Sequence, residues 1–190
     1  AFRDQLDKYI VSFTLGIEAL GLYYFAFNAG LGVSTALNRA FSNAVYPHLC
    51  ATADRLTAYR KAIVNLGLPF GLLYVLQAAM ALYYVPIVFG ATWAAAAPLV
   101  AILCLGGPAR LMVDAARMKA RADGHSGRDF KISLGLSASI LIPFGLFASY
   151  GLFAVSALSV VTATVFAIVV TQISLARTAT HAPQTLGARS

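Results

Sequence analysis

Long apolar runs without a charged residue recur along this chain and limit its fold more than any other feature. Residues 62–85 (AIVNLGLPFGLLYVLQAAMALYYV) and residues 152–175 are two such runs. A run of about 18 or more apolar residues can cross roughly 30 Å of hydrocarbon as a helix. Composition agrees, because 59% of the 190 residues are hydrophobic and 11% are charged, whereas soluble domains have about 25% charged residues. The chain is therefore predicted to be an integral membrane protein.

The predicted fold class is an all-α, polytopic transmembrane helical bundle. Helices satisfy their backbone hydrogen bonds inside lipid, and the sequence has no alternating strand pattern. Gly21 is predicted to separate the first two spans, and Pro47 and Pro86 to end the second and third. Residues 1–176 would form one six-helix lobe, and residues 177–190 a polar, disordered cytoplasmic tail. The six predicted spans are about 4–20, 22–46, 62–85, 92–120, 130–150 and 152–175.

The basic residues predict the orientation of these spans. All 14 Lys and Arg residues lie at the start, around the second connection, around the fourth connection, or after the last span. The other three turns have none. Because cytoplasmic loops collect Lys and Arg, both termini are predicted to be cytoplasmic. This orientation signal, with contact to anionic membrane lipid, accounts for the net charge of +7, so nucleic acid is not an expected partner.

Three segments resemble a known family of transporters. DQLDKYIVSFTLGIEALGLYYFAFN resembles its Asp-rich helix start followed by Leu-Gly-x-Tyr-x-x-Ala, and NAVYPHL its helix-closing Pro. VPIVFGATWAAAAPLVAILCL resembles its apolar-Phe-Gly-x-x-Trp-x-x-Ala segment. In this order and spacing the chain, from about Phe2 to Ile173, resembles the Wzx-type lipid-linked oligosaccharide flippases. They form the polysaccharide transporter family of the multidrug/oligosaccharidyl-lipid/polysaccharide flippase superfamily.

The resemblance implies a role in transport rather than catalysis. Family members have two six-helix lobes, so this chain resembles the carboxy-terminal lobe, and the amino-terminal lobe of the same protein is an expected partner. The implied substrate is an undecaprenyl-pyrophosphate-linked oligosaccharide. It would be flipped across the bacterial inner membrane for exopolysaccharide, capsule or O-antigen export. No cofactor or metal is expected.

Such a substrate needs a polar, partly cationic cavity, because burial of its headgroup in lipid is costly. Glu18 is the candidate for binding a coupling ion. Each candidate also has a structural explanation: snorkelling for Arg39, interhelical hydrogen bonds for the amides, an ion pair for Arg110 with Asp114, and interfacial placement for Glu18. Asn28 and Asn38, ten residues apart, are predicted to lie near one helix face. The candidate substrate-binding residues are Arg39, Asn28, Asn38, Gln77, Arg110 and Asp114.

Two other functions remain open at this point. One is export of a drug or lipid II by another member of the same superfamily, which would favour an acidic or apolar cavity. The other is a membrane-embedded glycan ligase or polymerase. That enzyme would usually need a large outer loop with catalytic charges, and the outer turns here are short and neutral.

Overall fold

The computed structural model describes the backbone of residues 3–52, 54–147 and 150–179, and their side chains except those of 3–5, 31, 33, 34, 37 and 177–179. In this part of the chain every regular element is helical and no strand occurs, which confirms the all-α class. The elements are α1 (Arg3–Ala51), α2 (Arg55–Ala62), a π turn (Ile63–Gly67), α3 (Leu68–Phe89), a 3-10 turn (Ala91–Ala96), α4 (Ala97–Leu105), α5 (Gly107–Ala122), α6 (Ser126–Phe147) and α7 (Leu152–Ala179).

The long helices carry large apolar side chains on their outer surfaces. Leu72 and Ile87 of α3, Leu146 of α6 and Val165 of α7 are all exposed. Such a belt of aliphatic side chains suits contact with lipid tails. The protein is a helical membrane protein. Within the described residues, five segments are long and apolar enough to cross a membrane: Leu6–Gly30, Arg55–Phe89, Ala91–Ala122, Ser126–Phe147 and Leu152–Ala176.

The chain reverses direction at Gly16, so that α1 has two antiparallel arms: a first arm, residues 3–15, and a second arm, residues 17–51. Gly16 has φ 86° and ψ 176°, a conformation that glycine adopts most readily. A straight helix would separate Asp7 from Tyr23 by about 24 Å, yet the Tyr23 hydroxyl donates to Asp7 Oδ2 at 2.7 Å. The first arm is about 20 Å long and the second about 52 Å. Within Leu6–Gly30, therefore, only the second arm belongs to a helix long enough to cross a bilayer.

This reversal corrects the predicted boundary at Gly21, which lies inside the second arm. The predicted spans 4–20 and 22–46 therefore meet five residues earlier than expected. Contacts between the arms fix the register, because Asp7 bonds to Tyr23 and Lys8 Nζ lies 4.3 Å from the centre of the Phe27 ring. With a turn at Gly21 these partners would not lie opposite one another.

Two prolines that were predicted to end helices lie inside them. Pro47 is within α1, which continues to Ala51, because the last turn buries Leu49 completely against a core that includes Tyr59. Pro86 lies within α3, which ends at Phe89 before Gly90 with φ 90°. A proline removes one backbone hydrogen bond. Burial of Leu49 offsets that loss in α1, whereas the residues after Pro86 are exposed and α3 ends within one turn of that proline.

The other predicted spans each have a counterpart in the structure, with ends shifted by up to seven residues. The third predicted span, 62–85, corresponds to the continuous helical segment 55–89, and the fourth, 92–120, to residues 91–122. The fifth, 130–150, is α6, Ser126–Phe147, and the sixth, 152–175, is α7. Residues 177–179 of the predicted tail belong to α7, and residues 180–190 lie outside the described residues.

α5 is the central helix of the bundle. It packs against α1, α6 and α7, and 9 of its 16 residues are buried. Small side chains such as Ala109, Ala115 and Ala116 allow these neighbours to approach closely. At its start, the ring of Tyr74 from α3 lies directly on the backbone of Gly107. This position buries Lys119 and partly buries Arg110, Asp114 and Arg117.

Ion pairs hold the turn between α5 and α6. Lys119 Nζ lies 3.0 Å from Asp123 Oδ2, and Arg55 Nη1 from α2 lies 3.4 Å from Asp123 Oδ1. Across the turn, Arg117 Nε lies 2.7 Å from Asp129 Oδ1. Only 4% of the Lys119 side chain is exposed. The segment between α5 and α6, which is rich in Lys and Arg, is therefore held in place by ion pairs with Asp123 and Asp129.

Candidate functional site

One surface of the second arm of α1 carries mostly polar and small residues, although the exposed side chains of Ile17 and Tyr24 lie beside its first members. Its residues recur every three, four or seven positions, which places them on one side of an α-helix. We call this surface the polar stripe. All of its residues are exposed: Glu18, Gly21, Asn28, Gly32, Thr35, Ala36, Arg39 and Asn43. From Glu18 to Asn43 it extends over about 37 Å, more than the hydrocarbon thickness of a bilayer.

The polar stripe lies opposite the buried surface of the same helix. Tyr23, Ala26, Phe41 and Val45 pack into the bundle and are at most 2% exposed. The exposed surfaces of α3, α6 and α7, by contrast, carry leucine, isoleucine, valine and aromatic residues. The polar stripe therefore differs in chemistry from every other exposed helix surface that could contact lipid in the described part of the chain.

Three of the predicted site residues belong to the polar stripe. Glu18, Asn28 and Arg39 are exposed there. Asn28 Nδ2 also donates to the Tyr24 carbonyl at 2.8 Å, one turn earlier in the helix. Glu18 lies two residues after the reversal at Gly16, at one end of the stripe. Arg39 lies 21 residues further along the chain, toward the other end.

Three other predicted residues meet in a partly enclosed cavity of about 120 Å³. We call it the buried cavity, and it lies between both arms of α1, α5 and α6. Asn38, Arg110 and Asp114 supply much of its polar wall. Its lining consists of Asp7, Phe27, Asn38, Arg110, Asp114, Leu136, Ser137, Ile140 and Leu141.

The prediction that Asn28 and Asn38 share a helix face is wrong. Asn28 is on the polar stripe, whereas Asn38 lines the buried cavity and accepts a hydrogen bond from the Tyr74 hydroxyl at 2.9 Å. Ten residues fall about 80° short of three full turns at 100° per residue. On a helix with one buried and one exposed side, this difference separates the two amides.

Gln77, the remaining candidate, joins two helices. Its Nε2 donates to the Gly30 carbonyl at 2.9 Å, and Tyr84, also on α3, donates to the neighbouring Ala29 carbonyl at 3.3 Å. Cys104 Sγ of α4 lies 3.6 Å from the same Gly30 oxygen. Gln77 therefore takes part in packing α3 against the second arm, away from both the polar stripe and the lining of the buried cavity.

The sequence did not single out Asp7 as a site residue. The structure places it in the wall of the buried cavity with 5% exposure. A carboxylate held within a membrane bundle is costly and often functional. Asp7 lies nine residues before Gly16 and Tyr23 lies seven residues after it, so their side chains meet when the chain reverses there. The sequence would have indicated Asp7 only if the turn had been placed at Gly16.

Comparison of the chain with models of known protein families, with curated proteins and with solved structures found no match. The class of protein defined by the fold is thus a helical membrane protein with one polar outer surface and one polar internal cavity.

Proposed function

We propose that this chain is one lobe of a transporter that flips undecaprenyl-pyrophosphate-linked oligosaccharide across the bacterial inner membrane. The observation that carries the proposal is the polar stripe. A charged side chain at the centre of a bilayer costs about 2.5–3.5 kcal/mol on insertion scales, and exposed amides add to this cost. A surface that carries Arg39 and the amides of Asn28 and Asn43 is therefore better suited to contact with water or with a polar partner than to contact with lipid.

A second lobe facing the stripe would enclose such a water-filled space. Transporters commonly place the substrate between two repeats that rock against each other. Small residues such as Gly32 and Ala36 leave room beside the helix for a bulky glycan. The resemblance of three ordered segments to the Wzx-type flippases supports this substrate class, and it implies an amino-terminal lobe as the partner.

The proposed topology has six spans with both termini in the cytoplasm. The first arm contributes to the first span, and the second arm and the four later segments form the others. The basic residues Arg60 and Lys61, together with the turn between α5 and α6, then lie on the cytoplasmic side, where Lys and Arg concentrate.

Cysteine labelling in membranes tests whether the polar stripe faces water. In a Cys50→Ser/Cys104→Ser background, single cysteines replace Asn28 or Asn43 on the stripe. Matched controls replace Leu76 on α3 or Val165 on α7, both exposed and surrounded by apolar residues. We expect a charged maleimide to label the stripe positions and to leave the controls unlabelled, because thiols in hydrocarbon react poorly with polar reagents. Equal protection at both sets of positions would contradict a water-filled space along the stripe.

Replacement of Arg39 tests its contact with the diphosphate. In the full-length parent, Arg39→Gln should reduce glycan export roughly 10- to 100-fold, the effect of losing one hydrogen bond between charged groups. The measurement is accumulation of lipid-linked glycan in the cytoplasmic leaflet. Arg60→Gln, an equally exposed arginine outside the stripe, is the matched control and should have little effect. Unchanged glycan export in Arg39→Gln, with altered efflux of a drug, would instead favour a drug exporter.

A further inference from the structure

The buried cavity and the polar stripe lie on different sides of the second arm. Phe27 and Asn38 project toward the cavity, whereas Asn28 and Arg39 are exposed on the stripe. The cavity therefore needs an explanation of its own. Its lining contains charged groups of both signs, Asp7, Asp114 and Arg110. The rest of the lining consists of two uncharged polar residues, Asn38 and Ser137, and four apolar ones.

The two carboxylates of the buried cavity already have donors other than Arg110. Asp7 Oδ2 accepts the Tyr23 hydroxyl at 2.7 Å, and Asp7 Oδ1 accepts the backbone N–H of Lys8 at 2.9 Å. Asp114 Oδ1 lies 3.4 Å from Arg117 Nη1, which belongs to the next turn of α5. Neither carboxylate is within ion-pair distance of Arg110 in the described part of the chain.

Arg110 has side-chain N–H donors that form no hydrogen bond with any described residue. Its guanidinium carbon lies 5.6 Å from the centre of the Phe27 ring, and among the described residues it has neither a hydrogen bond nor an ion pair. A guanidinium carries five N–H donors in a planar fork. Asn38 contributes further donors, because its Oδ1 accepts from Tyr74 and its amide N–H groups remain available to the cavity.

We propose that the buried cavity binds a singly charged oxyanion, the carboxylate or phosphodiester group of a small molecule or lipid, between Arg110 and Asn38. The Arg110 fork matches the two oxygens of such a group, and the Asn38 amide can donate to one of them. Phe27 and the leucine and isoleucine side chains add apolar walls beside these groups, and such less polar surroundings strengthen the bonds. Asp7 and Asp114 would repel a second negative charge and so select a monoanion. A volume of about 120 Å³ suits the charged group rather than a whole glycan.

This proposal does not depend on transport of glycan, because it concerns residues on the other side of the helix from the polar stripe. It is tested with the purified full-length protein in nanodiscs by ligand-dependent shifts of the unfolding temperature. One arm titrates acetate into nanodiscs of neutral lipid, and the other raises the fraction of phosphatidylglycerol at constant ionic strength. Saturable stabilisation by acetate indicates a free carboxylate, and stabilisation by phosphatidylglycerol alone indicates a lipid phosphodiester. Inorganic phosphate at about pH 8, where it is mainly the dianion, should bind more weakly than acetate if acetate binds.

Variants separate ligand binding from internal ion pairing. Arg110→Gln should weaken binding roughly 10- to 100-fold, and Arg110→Lys by less, because it keeps the charge without the fork. Asp114→Asn should strengthen binding, since it removes a repelling charge, and Arg39→Gln on the polar stripe should leave binding unchanged. The proposal is overturned if neither probe binds saturably or if Arg110→Gln binds like the wild type. Weakened binding in Asp114→Asn would also overturn it, because that result would make the carboxylate a ligand of a bound cation or the counter-ion of Arg110.

Discussion

Removal of the Asp123 carboxylate should destabilise the bundle by about 3–5 kcal/mol, the cost of leaving a buried charge without its partner. Asp123 lies 3.0 Å from Lys119 Nζ, and only 4% of the Lys119 side chain is exposed. The same carboxylate also pairs with Arg55 of α2. Asp123→Ala therefore leaves a lysine in the interior with no counter-charge and loosens the contact between α2 and α5. Denaturant unfolding of the protein in detergent measures the loss.

A double replacement distinguishes the unpaired charge from simple loss of contacts. Lys119→Met/Asp123→Asn removes both charges and nearly keeps both side-chain volumes, so it should recover most of the stability lost in Asp123→Ala. Glu18→Ala removes an exposed carboxylate and is the control, with an expected change within about 0.5 kcal/mol. If the double variant were as unstable as Asp123→Ala, the buried lysine could not be the cause.

Gly107→Ala should cost about 1–3 kcal/mol, the range found when a packed core receives an extra methyl group. A Cβ at Gly107 would overlap the ring of Tyr74, which is fully buried and cannot move toward solvent. Displacement of that ring would also disturb the hydrogen bond from its hydroxyl to Asn38 in the wall of the buried cavity. Thermal unfolding in detergent reports the stability, and the acetate or lipid titration reports the effect on the cavity.

Gly145→Ala provides the matched control, because a Cβ at that helical glycine would meet nothing within 4 Å. Alanine is the better helix former by about 1 kcal/mol, so this variant should be neutral or slightly more stable. A second variant, Gly107→Ala/Tyr74→Leu, removes the overlapping ring and should regain part of the loss. Equal stability of Gly107→Ala and Gly145→Ala would show that the contact between Tyr74 and the α5 backbone is unimportant.

The helical membrane fold was predictable from residue types alone, because charge-free apolar runs have few other stable arrangements. The reversal at Gly16 was not. Gly16 and Gly21 offer similar local chemistry, and the choice depends on contacts between Asp7 and Tyr23 that are distant in sequence. The helix that passes Pro47 has the same explanation, since burial of Leu49 in its final turn decides a boundary that local rules place earlier.

The sequence predicted which types of residue form the candidate site better than it predicted where those residues lie in the fold. Helical spacing groups Glu18, Asn28 and Arg39 on one side, but spacing does not say whether that side is buried. Only the packing of Tyr23 and Phe41 into the core identifies the stripe as exposed. Arg110 and Asp114 drew attention as an i, i+4 pair, yet Asp114 pairs with Arg117 at i+3. Both the i, i+3 and the i, i+4 spacing bring two side chains together on a helix, so the sequence alone does not show which ion pair forms.

The π turn at Ile63–Gly67 changes the rotation of the helix within the continuous helical segment Arg55–Phe89. Pro69 follows it closely and cannot supply the backbone donor that an unbroken α-helix would need there. A π turn accommodates one extra residue, equivalent to about 100° of rotation at the α-helical pitch. At 100° per residue, Tyr59 and Tyr74, both fully buried, would differ by about 60° in an unbroken α-helix, and with the extra residue they differ by about 40° in the opposite sense. The π turn thus rotates α3 relative to α2 while Tyr59 and Tyr74 remain on the side that faces their shared core, and this final orientation of α3 places the Tyr74 ring on Gly107.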